Sequence, residues 1–336
     1  MTTSAPVPLH RPVSGPLGPL MALAAFGLYA THDVLIRILG GSYSVFQIMF
    51  YMGLFSFPLL VVMLIRDPEP GTLRAVHPGW MLARTLCVLV SAGGAFYAFT
   101  VLPLAQVYAM LFASPLLITL LSIPMLGERV GIHRGLAVAV GLLGVLVVLR
   151  PGGAELGLGH AAALASALTA ALNGVIMRKI GKDERSAVLL LYPMLANVVV
   201  MASILPLVYV PMRLPDLATV GVIAALAFAA MLLSIAAYRR SEAAVVAPMQ
   251  YSQILWAAFY GALLFGESPN RFTLAGATLI VASGLYILFR ESRSSSQSMR
   301  PVVQADLRNE SVAAPRPVVV DEPLEDPEGG AEISGD

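Results

Sequence analysis

The stretch from Leu102 to Gly152 reads LPLAQVYAMLFASPLLITLLSIPMLGERVGIHRGLAVAVGLLGVLVVLRPG. It holds two apolar blocks, 104 to 125 and 132 to 149, separated by the polar turn Leu126-Gly127-Glu128-Arg129 and closed by Arg150-Pro151-Gly152. A helix crossing about 30 Å of hydrocarbon needs roughly 20 mostly apolar residues. The pattern is therefore crossing, short turn, crossing. Outward from it, with Pro, Gly and charge clusters as breaks, the spacing predicts further crossings near 17–39, 44–65, 79–101, 159–180, 187–209, 217–238, 243–265 and 272–289. The fold predicted is all-α and membrane-integral, with ten transmembrane helices.

Composition agrees. Of 336 residues 57% are hydrophobic and 12% charged, with a mean hydropathy of +0.79, against about 45 to 50% apolar and about 25% charged in soluble domains. A net charge of +1, with Lys and Arg scattered between apolar blocks, gives no nucleic-acid footprint. Cys87 is the only cysteine, so an intrachain disulfide, a Cys-based zinc site and an iron–sulfur cluster are excluded. Nothing implies a cofactor or a bound metal. The chain divides into an N-terminal tail (1–16), two halves (17–150 and 157–290) and an acidic tail (291–336) with ten acidic residues against four arginines, which reads as disordered.

With the N-terminus inside, cytosolic ends and loops carry 14 Lys and Arg from Arg11 to Arg293, against Arg37, Arg150, Arg213 and Arg271 on the other side. The positive-inside rule then places both termini in the cytosol and the protein in the cytoplasmic (inner) membrane, which requires an even number of crossings. The halves repeat. Arg37 and Tyr51 return 141 residues later as Arg178 and Tyr192, and Gly127-Glu128 returns after 139 as Gly266-Glu267. Five crossings per half invert the second half relative to the first, an arrangement in which solute sites lie near the midplane between repeats.

Residues 102–152 resemble the end of an EamA domain of the drug/metabolite transporter superfamily, through Pro103-Leu104-Ala105, Ser114-Pro115, Leu126-Gly127-Glu128-Arg129 and the Gly-spaced fifth helix. The second half is similar but less faithful, with Phe265-Gly266-Glu267-Ser268 at the turn and Gln253-Ile254 in place of Ser114-Pro115. The resemblance spans roughly 17 to 290. It implies a central cavity and alternating access for a small-molecule solute, and leaves the substrate open among amino acids, vitamins, nucleotide-derived metabolites and drugs.

Polar groups in hydrocarbon are costly, about 2.5 to 3.5 kcal/mol for a centred charge, so those present face a cavity or a partner. His32 and Asp33 lie in the first crossing, and Asn173 is the repeat counterpart of His32. Ser114 in the fourth crossing is the counterpart of Gln253 in the ninth. Met249, Gln253, Trp256 and Tyr260 share one helical face. The expected substrate-binding set is His32, Asn173, Tyr108, Ser114, Tyr251, Gln253 and Trp256, with Asp33 and Arg84 as coupling or anion contacts. His32-Asp33 also reads as a helix-packing pair, because neighbours on a helix point about 100° apart and should not both face one cavity. Arg84 reads equally as a snorkelling anchor, and anchoring is the favoured reading of Arg37 and Arg178. Glu128 and Glu267 are expected to accept the N–H groups opening the next helix. Gly135, Gly141, Gly144, Gly276 and Gly284 suit close helix packing, and such faces also suit a homodimer. Pro58, Pro115 and Pro248 are expected bends.

The function predicted is secondary transport of a small organic metabolite or drug-like solute. The rivals are a lipid flippase, whose laterally open cavity looks the same in sequence, and an intramembrane lipid-modifying enzyme using His32-Asp33. No HExxH or GxSxG supports an enzyme, and His32 is the only histidine away from the end of a crossing.

Overall fold

The computed structural model describes residues 17–65, 72–128, 130–150, 156–181, 183–241 and 243–294. Residues 1–16 and 295–336, and Arg66, Arg129, Pro151-Gly152, Lys182 and Glu242, lie outside the described residues. The helices are α1 (Leu17–Gly40), α2 (Val45–Ile65), α3 (Pro78–Val101), α4 (Leu104–Leu111), α5 (Ser114–Leu126), α6 (Ile132–Leu149), α7 (Leu158–Ile180), α8 (Ser186–Val208), α9 (Leu214–Arg240), α10 (Ala243–Val246), α11 (Ser252–Phe265) and α12 (Arg271–Ser294).

These make ten crossings. Eight segments are long and apolar enough alone, with Leu104–Leu126 counted across its break. The second crossing is α2. The ninth is α10, a 3-10 stretch Ala247–Tyr251 and α11 in succession. Large apolar side chains such as Leu82, Leu214 and Leu255 are exposed, Leu255 by 72%. In water that surface would be unfavourable by about 25 cal/mol per Å²; against lipid it costs nothing.

The fourth and ninth crossings, expected as single helices, are both broken. Pro115 and Pro248 lack the N–H that a continuous helix needs, and the chain turns at Phe112-Ala113 and tightens to 3-10 geometry over 247–251. Pro58 breaks nothing: α2 runs through it.

Helix pairing follows a two-fold axis in the membrane plane. The first crossing packs on the counterpart of the third (α1 on α9), and the third on the counterpart of the first (α3 on α7). The second, fourth and fifth pack on their own counterparts (α2 on α8, α4 on α11, α6 on α12). This pairing is the one expected of two inverted five-helix repeats. At α6 and α12 the backbones meet at Gly144 and Gly276, where a Cβ on Gly144 would sit 2.8 Å from the carbonyl oxygen of Gly276. Gly141 and Gly284 are likewise filled against, by Leu116 and Tyr251. Gly135 is not part of this contact, since nothing lies within 4 Å of its Cβ position.

Ties between the repeats obey the same axis. Gln47, at the start of α2, donates to the carbonyl of Val210 at 2.7 Å and accepts from its N–H at 3.0 Å. Beside it, Tyr43 donates to Asp216 at 2.7 Å. At the opposite end Glu184, the counterpart of Tyr43, accepts the N–H groups of Val76 at 3.1 Å and His77 at 2.7 Å.

Arg37 and Arg178 do not snorkel: Arg37 is ion-paired with Glu267 and Arg178 with Glu128. Arg37 also lies 4.2 Å from the ring centroid of Phe265. Glu267 consequently does not cap α12, whose opening N–H groups at Phe272 and Thr273 go to Asn270 at 3.0 and 2.8 Å. The expected tight turns are present, with Gly127 at φ 69° and Gly266 at φ 64° in left-handed geometry that a side chain would strain.

Candidate solute-binding cavity

Between the repeats lies a cavity of about 920 Å³, counting the space continuous with its mouth. It is walled by α1, α3, α4, α7 and the broken ninth crossing. Its position follows from the two helix breaks. Leu111 and Phe112 line it just before one break, and Gln250 within the other. Discontinuous helices at the midplane leave room and polar backbone where continuous ones would fill it.

His32 and Asp33 both line the cavity, contrary to the 100° argument, because it wraps around the side of α1. His32 Nδ1 is 2.9 Å from Asp33 Oδ1. Tyr108 donates its hydroxyl to the other oxygen, Oδ2. The carboxylate accepts from Nδ1–H, so in the neutral ring Nε2 carries the lone pair. His32 is 4% exposed, and Nε2 has no hydrogen-bond partner. His32 lies eight residues before the end of α1 at Gly40, about 12 Å at 1.5 Å per residue.

Gln253 shares this condition, at 5% exposure with Nε2 unpartnered, and Gln250 lines the cavity beside it at 6% exposure, next to the Tyr251 hydroxyl. Apart from Ser91 and Ser166, the rest of the walls is apolar and aromatic. Phe96 meets the His32 ring edge-on with centroids 5.8 Å apart, and Phe99, Tyr108 and Phe112 continue the surface with centroid spacings of 5.3 and 6.0 Å. Asp33 is the only carboxylate and His32 the only basic side chain among the lining residues. The arrangement can sandwich a flat organic solute, accept a hydrogen bond at His32 and donate at the two amides.

His32, Asp33, Tyr108 and Gln253 are brought together as expected. The other expected residues lie outside this lining. Asn173 and Ser114 are fully buried beyond it. Tyr251 packs between Phe112, with centroids 5.1 Å apart, and Gly284. Trp256 sits over Gly27 of α1 and stacks on Tyr260 at 6.3 Å, outside the lining although Gln253 on the same face of α11 reaches it. Arg84 does not snorkel and lies outside the cavity lining. It is 1% exposed and ties α3 to α7 and α8, donating to Met177 Sδ at 2.9 Å and to the carbonyl of Leu189 at 2.7 Å. Sequence reasoning missed Tyr29, Phe96, Phe99 and Gln250. Only Gln250, three residues from Gln253, carried a polar signal that would have found it.

The model of the EamA-like transporter family matches residues 16–150 and again 157–289. An S-adenosylmethionine uptake transporter of Rickettsia bellii is 22% identical over 270 residues, covering 80% of this chain and 92% of that protein. A riboflavin transporter of Vibrio cholerae is 26% identical over 297 residues (85% and 96%). A pseudopaline exporter of Pseudomonas aeruginosa is 25% identical over 271 residues (79% and 94%). A crystal structure with a TM-score of 0.55 and 19% identity covers 85% of this chain and the whole of that one, a likeness of fold.

Proposed function

The chain belongs to the EamA-like transporter family, and we propose that it is a secondary carrier which moves a small, flat, hydrogen-bonding organic solute across the cytoplasmic membrane by alternating access. The observation that carries this reading is the coincidence of two unpartnered polar groups, His32 Nε2 and the amide nitrogen of Gln253, with the Gln250 amide beside them, on one aromatic-walled cavity between inverted repeats. Each such group left unmade costs about 1 to 3 kcal/mol, so a solute that completes them is bound selectively. Both termini face the cytosol in this reading, by the excess of Lys and Arg on that side. We read the molecule as a carrier and not as an enzyme, in keeping with the transporter family to which it belongs.

The relatives' named substrates, S-adenosylmethionine and riboflavin, are the first solutes to try. Purified protein is screened against them, other vitamins, nucleosides and amino acids by thermal shift, since a ligand of the folded state raises Tm. A hit is then followed as uptake into reconstituted vesicles. His32→Ala and Gln253→Ala should each slow uptake about tenfold, the equivalent of one hydrogen bond of about 1.4 kcal/mol. Unchanged rates in both folded variants would remove the cavity from the transport path.

A further inference from the structure

The two-fold symmetry that governs helix packing fails at the cavity. α3 contributes six lining residues from Val88 to Phe99, whereas its counterpart α9 contributes only Ala227. The cavity therefore occupies one half of the molecule, toward the end where α1 finishes. Symmetry defines what the other half would show if it opened instead.

On α7, Ser166 and Ala170 reach the cavity. Asn173 follows on the same helical stripe, at i+7 and i+3 from them, about one turn beyond the floor. It is 0% exposed, and both amide atoms, Oδ1 and Nδ2, lack partners. On the fourth crossing Leu111 and Phe112 line the cavity, and Ser114 comes immediately past the break, 0% exposed with Oγ unpartnered. Asn173 is the repeat counterpart of His32, and Ser114 that of Gln253. Thus the two positions that symmetry pairs with the cavity-lining polar set hold polar groups outside the lining, fully buried with nothing to bond. An amide buried without partners is unfavourable by about 1 to 3 kcal/mol per group. A rearrangement that bares it relieves that cost.

We propose that Asn173 and Ser114 are the solute-binding residues of the opposite-facing state. As one bundle rocks on the other, the space at His32, Gln250 and Gln253 closes and an equivalent space opens at Asn173 and Ser114. The solute passes between pseudo-equivalent polar sets across the midplane. The sets differ in chemistry: His32 accepts a hydrogen bond, whereas Asn173 both accepts and donates. The two faces consequently bind one solute with unequal affinity. This inference rests on the reading of the His32 cavity as the solute site.

The test uses the full chain in a Cys87→Ser background, which removes the only cysteine. Single cysteines replace His32, Asn173 or Ser114, and a membrane-impermeant maleimide is applied to right-side-out and inside-out vesicles. His32→Cys is expected to label from one face only, and Asn173→Cys and Ser114→Cys only from the other. Ser114→Cys exchanges one small side chain for another and serves if Asn173→Cys does not fold. Labelling of the Asn173 and Ser114 positions from the same face as His32→Cys, or from neither face while His32→Cys labels, overturns the proposal. Failure of His32→Cys to label from either face overturns the cavity assignment itself, and with it this inference.

Discussion

Arg37 near the end of α1 is ion-paired with Glu267 in the turn after α11, and their repeat counterparts Arg178 and Glu128 are ion-paired with each other. Each pair crosses from one repeat to the other, and inversion sets the two at opposite ends of the bundle. The sequence shows the four residues as two repeated signatures. Which arginine answers which glutamate is decided by the two-fold axis.

The Arg37 pair is the more buried, with side chains 16% and 19% exposed against 33% and 28% for Arg178 and Glu128. Glu267→Gln should therefore destabilise the protein more than Glu128→Gln, by about 2 kcal/mol against about 1 kcal/mol. Thermal melting in detergent measures both, and the double variant Arg37→Gln with Glu267→Gln should lose less than the sum of the single losses. Strict additivity would mean that the contact contributes nothing.

Asp33 fixes the proton of His32 on Nδ1 and leaves Nε2 to accept from solute. An Asn at position 33 can present its NH2 to the ring instead of an acceptor, which allows the other tautomer and turns Nε2 into a donor. Asp33→Asn should weaken binding about tenfold, one misoriented hydrogen bond, with little change in Tm. Equilibrium binding of a solute found by the thermal-shift screen reads this directly. Full affinity in the folded variant would show that the tautomer is irrelevant.

Pro248 forces the 3-10 stretch that turns Gln250 into the cavity. An alanine there restores the N–H for a continuous helix and removes a residue that is unfavourable in a helix interior by about 3 kcal/mol. Pro248→Ala should keep or raise Tm while reducing uptake at least tenfold. Stability and transport moving together would argue against the break as a feature of the site.

α6 and α12 approach at Gly144 and Gly276, where each missing Cβ leaves room for the other's carbonyl. Gly276→Ala must push the helices apart and is expected to cost about 1 to 3 kcal/mol, the usual range for overpacking. Gly135→Ala, with open space at its Cβ position, should be neutral or slightly stabilising. Melting temperatures of the two variants distinguish a packing glycine from a merely helical one.

The sequence by itself determined the crossings, their number, the inversion of the halves and the polar residues worth watching. Lipid imposes the reason: every backbone group must be satisfied within its own helix, so apolar length translates directly into crossings. It also held His32, Asp33, Tyr108 and Gln253, polar or aromatic residues in hydrocarbon that need partners. Only tertiary structure decided which of the remaining candidates reach the cavity. Trp256 shares a helical face with Gln253 but packs over Gly27 of α1, and Tyr251 packs on Phe112 and against Gly284, contacts that only the folded chain reveals. Asn173 and Ser114 carry the same pattern as His32 and Gln253 but lie outside the cavity lining, because a two-fold axis relates positions and not which of them border open space. Arg37, Arg178 and Arg84 were read as anchors or ligands because a sequence does not show what waits across an interface. Partners remote in the chain, Glu267, Glu128 and the carbonyl of Leu189, turned each of them into a tie between helices.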